Sequence, residues 1–400
     1  MAQNELCIPA LRFPEFSGEW IKRFLEDGSE LISGQHLNPD EYSNGFGETP
    51  YFTGPSDFTN YTEKLTKWTL KESKWALQND VLITVKGNGV GELWFLTLPR
   101  VAIGRQLMAI RATSFSSSFL YQYLGPLKEK FFALASGNMI PGLSRYDILR
   151  TNLFLPKLAE QQKIAAFLGA VDEKIAGLQK KKDLLEEYKK GCMQKLFSQE
   201  IRFTDDNGNR FPNWEEKKLN DLGKFTSGTG FSEVEQGGAE GTPYYKVSDM
   251  NLPLNTTVMR EANNYVSNEQ VNRLNYKPIT EEAIIFAKVG AAVFLERKRL
   301  ARDFLIDNNM MAYIPFKSSM IRFLKIIFER TRLSKYAQVG ALPSYNAGDL
   351  KTIKVKLPHP EEQKKIADFL SAIDDKIALV SDELGKAKTF KKGLLQQMFV

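Results

Sequence analysis

The strongest constraint on this chain is that part of it occurs twice. The segment from Leu155 to Phe197 aligns without a gap onto Leu357 to Phe399, at an offset of 202, and 19 of 43 positions are identical. Glu160, Gln161 and Ile164 face Glu362, Gln363 and Ile366, and Asp172-x-Lys174-Ile175-Ala176 faces Asp374-x-Lys376-Ile377-Ala378. Chance does not produce such a match, so the chain is a duplication and must fold as two related bodies. The offset extends upstream more faintly. Asn79-Asp80-Val81-Leu82-Ile83 faces Glu281-Glu282-Ala283-Ile284-Ile285, Lys86 faces Lys288, Pro141 faces Pro343 and Asp147 faces Asp349. Thr49-Pro50-Tyr51 and Ser56-Asp57 have counterparts in Thr242-Pro243-Tyr244 and Ser248-Asp249. The repeat is circularly offset: Arg210-Phe211-Pro212 and Trp214 follow the first copy, whereas Arg12-Phe13-Pro14 and Trp20 open the chain. The last helix is therefore expected to pack near the start of the chain, in a pseudo-twofold body.

Each repeated segment carries a heptad seam, mostly apolar, with residues recurring at alternating spacings of three and four. Ile164, Leu168, Val171, Ile175 and Leu178 begin the first seam, which continues through Lys182, Leu185, Lys189, Cys192 and Leu196. Ile366, Leu370, Ile373, Ile377 and Val380 begin the second, which continues through Leu384, Ala387, Lys391, Leu394 and Met398. Helices of this length run roughly 55–60 Å. Two such stripes in one chain can bury each other, and a pseudo-twofold makes the pairing antiparallel. The expected organisation is a domain over residues 1–156, a first helix over 157–198, a second domain over 199–358 and a second helix over 359–400.

The segments between the helices diverge. Short β-rich runs (Val81 to Val85, Ala283 to Ala287, Ile353 to Leu357) alternate with Gly, Asn and Ser turns, and helices are expected over Ser116–Leu134 and Met320–Tyr336. The fold class is α+β, two similar domains joined by two long helices in an antiparallel coiled coil. The turns carry Lys86-Gly87-Asn88, Arg105-Gln106, Ser144-Arg145-Tyr146, Lys246, Lys288, Arg297-Lys298-Arg299, Asn308-Asn309 and Ser344-Tyr345-Asn346. Arg, Asn and Gln read guanine and adenine edges through paired hydrogen bonds, while Lys and Tyr add phosphate and stacking contacts. Lys86, Asn88, Arg105, Ser144, Arg145, Lys246, Lys288, Arg297, Lys298, Arg299, Asn308, Tyr345 and Asn346 are thus candidate DNA-contacting residues, although turns are polar for local reasons as well. Fifty-four Lys and Arg against forty-eight Asp and Glu leave a net charge of +6, compatible with such a partner.

Catalysis finds little support. Cys7 and Cys192 are too few for a disulfide framework or a cysteine zinc site. His36 and His359 are the only histidines, and neither stands among residues that build a triad or metal site. Thr49-Pro50-Tyr51 and Gly87-Asn88-Gly89-Val90-Gly91 fall short of methyltransferase motifs. Pro39-Asp40 with Glu72-Ser73-Lys74 fits nuclease spacing only at background level, and no phosphate-binding Gly-x-x-x-x-Gly-Lys loop occurs. No catalytic site, metal or cofactor is expected. No apolar run has the length of a membrane span, and residues 1–16 lack a signal-peptide core, so a soluble cytoplasmic protein is expected.

The doubled motif Leu155-Pro156…Glu160-Gln161…Ile164-Ala165-x-Phe167-Leu168 and Leu357-Pro358…Glu362-Gln363…Ile366-Ala367-x-Phe369-Leu370, with Arg-Phe-Pro…Trp before each domain, resembles the specificity subunit of Type I restriction–modification systems. The resemblance spans essentially the whole chain. It implies two target-recognition domains, each reading one half of a split double-stranded DNA sequence. It also implies helices that set the spacing and dock two adenine methyltransferase subunits, a motor–nuclease subunit that joins them, and no catalysis by the chain itself. On residues alone, a coiled-coil scaffold between two protein- or ligand-binding domains and a stand-alone DNA-binding repressor stay open. A steep salt dependence of DNA affinity separates the scaffold from both DNA readings.

Overall fold

A computed structural model describes residues 8–71, 74–135, 141–317, 320–338, 340 and 342–400. Cys7, Glu72 and Ser73 lie outside that set. The chain divides into two compact units, Met1–Asp183 with Leu379–Val400, and Leu184–Ala378. Each long helix, Leu158–Phe197 and Pro360–Met398, contributes residues to both units.

At the centre of the first unit is a four-stranded antiparallel sheet in the order Ser29–Ser33, Leu107–Ala112, Val81–Thr84, Leu93–Phe95. Strand Val81–Thr84 is buried on both faces, which explains its unbroken apolar run. Val81 and Ile83 join a core with Trp20, Phe119, Leu124 and Phe131, while Leu82 faces a second core with Phe52, Val101 and Ile103. The residues of that second core belong partly to a five-stranded sheet ordered Tyr42–Asn44, Lys67–Thr69, Thr49–Phe52, Arg100–Ile103, Trp75–Leu77.

The second unit repeats the four-stranded order with Gly223–Ser227, Met310–Pro315, Ala283–Ala287 and Lys298–Ala301. Ile284 and Phe286 face the helical side, and Ala283 and Ile285 face the other. Its second sheet is shorter: Tyr265–Val266, Thr242–Tyr245, Leu305–Ile306. The two Thr-Pro-Tyr segments occupy the same place. Each runs parallel to the strand that precedes the central one, Tyr51 beside Ala102 and Tyr244 beside Leu305.

Both expected helices in the divergent segments are shorter than their sequence pattern. The run from Ser116 breaks into Ser117–Leu124, a 3₁₀ turn over Gly125–Leu127, and Lys128–Ala135. Pro126 lacks the N–H that would continue the α-helical ladder. The later run is α-helical over Ile321–Arg330, stops where Thr331 turns extended, and resumes as a 3₁₀ turn over Leu333–Tyr336.

The chain's start closes against its end, as the circular offset requires. Leu11 N–H donates to Gln397 O at 2.8 Å, and Trp20 packs edge-on against Phe399 at 6.4 Å. Ile201 N–H to Lys195 O and Trp214 against Phe197 are the same contacts in the second unit. One equivalence needs correcting. Arg12 and Phe13 correspond to Arg202 and Phe203, not to Arg210 and Phe211. Arg12 grips Glu160 with two bonds of 2.7 Å, Arg202 grips Glu362 with bonds of 3.1 and 2.7 Å, and Phe13–Phe167 matches Phe203–Phe369. A turn closed by Asp205 and Asn209 adds residues before Trp214 and displaces the register.

Candidate nucleic-acid interface

In both units one tight turn is held in the same frame. In the first, Gly104-Arg105-Gln106 links Arg100–Ile103 to Leu107–Ala112. Gly104 N–H donates to Phe52 O, Leu107 N–H to Gly104 O, Gly34 N–H to Leu107 O and Gln35 N–H to Ile103 O, all at 2.8–3.0 Å. In the second, Asp307-Asn308-Asn309 links Leu305–Ile306 to Met310–Pro315. Asp307 N–H donates to Tyr245 O, Met310 N–H to Asp307 O, Gly228 N–H to Met310 O and Thr229 N–H to Ile306 O, at 3.0–3.2 Å. One bond within the turn and three to two neighbouring segments therefore hold each tip, and the middle residue, Arg105 or Asn308, is exposed.

Other candidates gather around the tips. Val85 N–H donates to Gln106 O, which sets exposed Lys86 beside the first tip, and a bridge from Lys86 to Gly142 brings up Ser144 and Arg145. Arg145 donates to Ser33 Oγ at 2.8 Å. Lys288 N–H donates to Asn309 O at 2.7 Å, Tyr345 N–H donates to Lys288 O, and Lys288 Nζ reaches Ser227 Oγ at 3.2 Å. Asn88 is exposed in the turn from Gly87 to Val90. Lys246 lies one residue beyond Tyr245, with its ammonium on the Gln236 amide at 2.5 Å. Asp307 sits half-buried under its tip; burial raises its pKa, against the lowering effect of Asn309 and Lys246.

Several candidates also serve the fold. Ser144 caps the helix Arg145–Leu149 and exchanges hydrogen bonds with Asp147, and Asn346 caps Ala347–Lys351 by accepting from Gly348 N–H at 2.8 Å. Lys298 is 4% exposed, bound to Glu296 and to Thr331 O, and burial lowers its pKa despite Glu296. Arg299 donates to Asn255 O at 2.6 Å and Arg297 bonds Asn251. Tyr345 is buried, its hydroxyl donates to Val293 O at 3.3 Å, and burial pushes its pKa up. The basic run Arg297-Lys298-Arg299 is not one exposed patch: Lys298 is buried and both arginines are half-buried, which composition does not reveal. Ser33 and Ser227 carry no sequence signal, since their equivalence depends on the sheet register.

The helices enter the core of each unit. In the first unit Ile164 and Leu168 are buried in one core with Leu394 and Met398, and Val171 packs against its edge. In the second, Ile366, Leu370 and Ile373 share a core with Leu196, with Cys192 and Ile377 at its edge. Ile175 and Leu178 are half-buried, and Val380 is buried. Within each unit the helix segments run antiparallel, and an ion pair follows each core: Asp172 with Lys391 at 2.6 Å, Asp374 with Lys189 at 2.6 Å. These pairs are the same contact in the two repeats. Gln122 also donates to Asp172 at 2.7 Å, fastening domain to helix. Tyr188 and Phe390, again equivalent, stand exposed on outer faces.

His36 is exposed, and His359 stacks on Phe211 at 5.4 Å. Among the described residues no group of three His, Cys, Asp or Glu is placed to hold a metal ion, and no helix is long and apolar enough to cross a membrane.

Fold and tips together define a protein with two related α+β heads, each mounted on paired helix segments. A family model, the Type I restriction modification DNA specificity domain, matches residues 17–187 and 212–388. The chain belongs to that family, the specificity subunits, which are the non-catalytic components of the Type I restriction–modification complex. It is 25% identical to the Type I restriction enzyme MjaVIII specificity subunit of Methanocaldococcus jannaschii, over 98% of this chain and 94% of the relative. A putative MjaX specificity subunit from the same organism is 29% identical over 60% of this chain and 56% of its own. The fold is that of the crystal structure of the S subunit from M. genitalium, with a TM-score of 0.66, 19% identity, and coverage of 98% of this chain and 99% of that one.

Proposed function

We propose that each α+β domain reads one half of a bipartite, gapped, asymmetric double-stranded DNA target. The paired helices set the spacing, and their outer faces, Tyr188 and Phe390 included, dock two adenine methyltransferase subunits. Motor–nuclease subunits complete the restriction assembly. The domain bounds are those read from the repeat, 1–156 and 199–358, with the helices between and after them.

One observation carries this reading: two turns share one backbone frame and present different side chains. Two copies of one reader with one chemistry would bind a symmetric site, whereas Arg105-Gln106 and Asn308-Asn309 suit unlike half-sites. Lys86 and Lys288 beside the tips supply phosphate contacts that orient without specifying sequence. A base is methylated outside the duplex stack in the pocket of the methyltransferase, so this chain needs to position, not to react.

The test is adenine methylation mapped across a genome in cells carrying a partner methyltransferase, with and without this chain. A bipartite motif that appears only with the chain is the expected result. A chain that yields no motif, and whose complex binds DNA no more tightly in low salt than in high, is a scaffold instead.

A further inference from the structure

We propose that the two-residue tips, Arg105-Gln106 and Asn308-Asn309, are the specificity determinants of the two half-sites, and that the tip of the first domain reads a guanine through Arg105. The inference rests on the DNA-reading function proposed above and goes further by assigning it to particular side chains.

The assignment follows from what the repeat keeps and what it changes. A reader that must present new chemistry without refolding needs a fixed backbone and variable side chains at one spot. The tips fit that requirement, since the four hydrogen bonds that frame Gly104-Arg105-Gln106 recur one for one around Asp307-Asn308-Asn309. All four use backbone N–H and C=O groups, so none depends on the identity of the tip side chains. Each frame also has its own brace. Asp57 accepts from Thr53 N–H and hydroxyl at 2.7 and 2.6 Å, directly after Phe52, whose carbonyl holds Gly104. Asp249 accepts from Lys246 N–H at 2.8 Å, directly after Tyr245, whose carbonyl holds Asp307.

The side chains on these frames differ in kind. The first tip presents a guanidinium and a primary amide, with exposed Lys86 alongside. Arginine pairs in bidentate fashion with the O6 and N7 of guanine. In the second tip Asn309 turns its amide onto Asp307 at 3.2 Å, while Asn308 is exposed and offers the amide that pairs with N6 and N7 of adenine. Lys298 is buried on Thr331 O, and Arg299 is half-buried with its guanidinium on the Asn255 and Lys298 carbonyls, so neither is exposed as Arg105 is.

The experiment exchanges the tips in the full chain co-expressed with its methyltransferase. The double substitution R105N/Q106N is expected to change the first half-site and to leave the second half-site and the gap as they were. The reverse exchange, N308R/N309Q, changes only the second. Asparagine is at home in a turn, so the frame tolerates it. Binding by the purified methyltransferase complex gives a second readout. Arg105→Ala lowers the preference for the parental target over one altered at the guanine, on the order of tenfold or more, whereas Lys86→Ala weakens both alike and reduces the salt dependence. A parental motif that survives both exchanges, or a change in the half-site belonging to the other domain, overturns the assignment while leaving the DNA-reading function intact. A parental chain that directs no bipartite motif overturns that function and this inference together.

Discussion

Asp57 shows how a single carboxylate braces the segment that holds the first tip. Burial works against its charge, yet bonds from Thr53 and from Lys67 Nζ at 3.0 Å outweigh that cost and hold its pKa below the ordinary aspartate value of 3.8. A depressed folded pKa means that the unfolded chain binds the proton more readily, so the stabilisation is complete above the unfolded value and is lost as pH falls through the folded one. Asp57→Asn is therefore expected to lower stability by about 1–2 kcal/mol near neutrality, where the charge-assisted bonds are intact. The difference in melting temperature between parent and variant should stay constant above about pH 5 and close on acidification below the ordinary aspartate range. A difference that persists unchanged into acid would mean that shape, not charge, is what Asp57 supplies.

Among the elements, the long helices were the most legible in sequence and the domain inserts the least. A five-heptad seam and a doubled Leu-Pro…Glu-Gln opening depend on local spacing, which a sequence displays directly. The Val81 and Ala283 strands were legible for the same reason. The five-stranded sheet of the first unit was not, because its strands are short and pair out of chain order, with Thr49–Phe52 lying between Lys67–Thr69 and Arg100–Ile103. The Arg-Phe register was misread because two such dipeptides lie within one linker and only the grip on Glu362 tells them apart. Of the candidate site, Arg105 and Asn308 were legible only as polar turn residues among thirteen, because the shared frame of the tips, like the burial of Lys298 and Tyr345, is set by tertiary packing. The helix ends belong to the domain cores, so a spacer role falls to the stretch between the Asp172–Lys391 and Lys189–Asp374 pairs, where Ile377 alone of the named seam residues still touches a core. A heptad removed from that stretch in both helices shortens it by about 10 Å, the rise of roughly three base pairs. Methylation mapping is expected to find both half-sites unchanged and the gap shorter by about that number. An unaltered gap would sink the idea that the helices act as the ruler.

At the scale of the whole molecule, the repeat offers a second place at which this chain can be opened. In the second unit the polypeptide runs unbroken from Lys195, whose carbonyl receives Ile201 N–H, through five intervening residues. In the first unit the same bond joins Gln397 to Leu11 across the ends of the chain. Counting five residues from Gln397 to Leu11 gives Met398, Phe399 and Val400 followed by Pro9 and Ala10. A direct Val400–Pro9 bond therefore reproduces the linker that already exists between Phe197 and Ile201. Arg12 on Glu160, Phe13 on Phe167 and Trp20 on Phe399 are in place on one side, as Arg202 on Glu362, Phe203 on Phe369 and Trp214 on Phe197 are on the other. A circular permutant that makes this bond and opens between Gln199 and Glu200 exchanges one set of ends for the other, where Gln199 already sits in a turn with φ of 61°. Opening there keeps every one of these contacts and only moves the break from one Arg–Glu grip to its twin. The permutant is expected to melt within a few degrees of the parent and to direct methylation to the same two half-sites with the same gap. If it folds but its motif changes, the covalent order of the chain contributes to specificity beyond what the two heads and their helices encode.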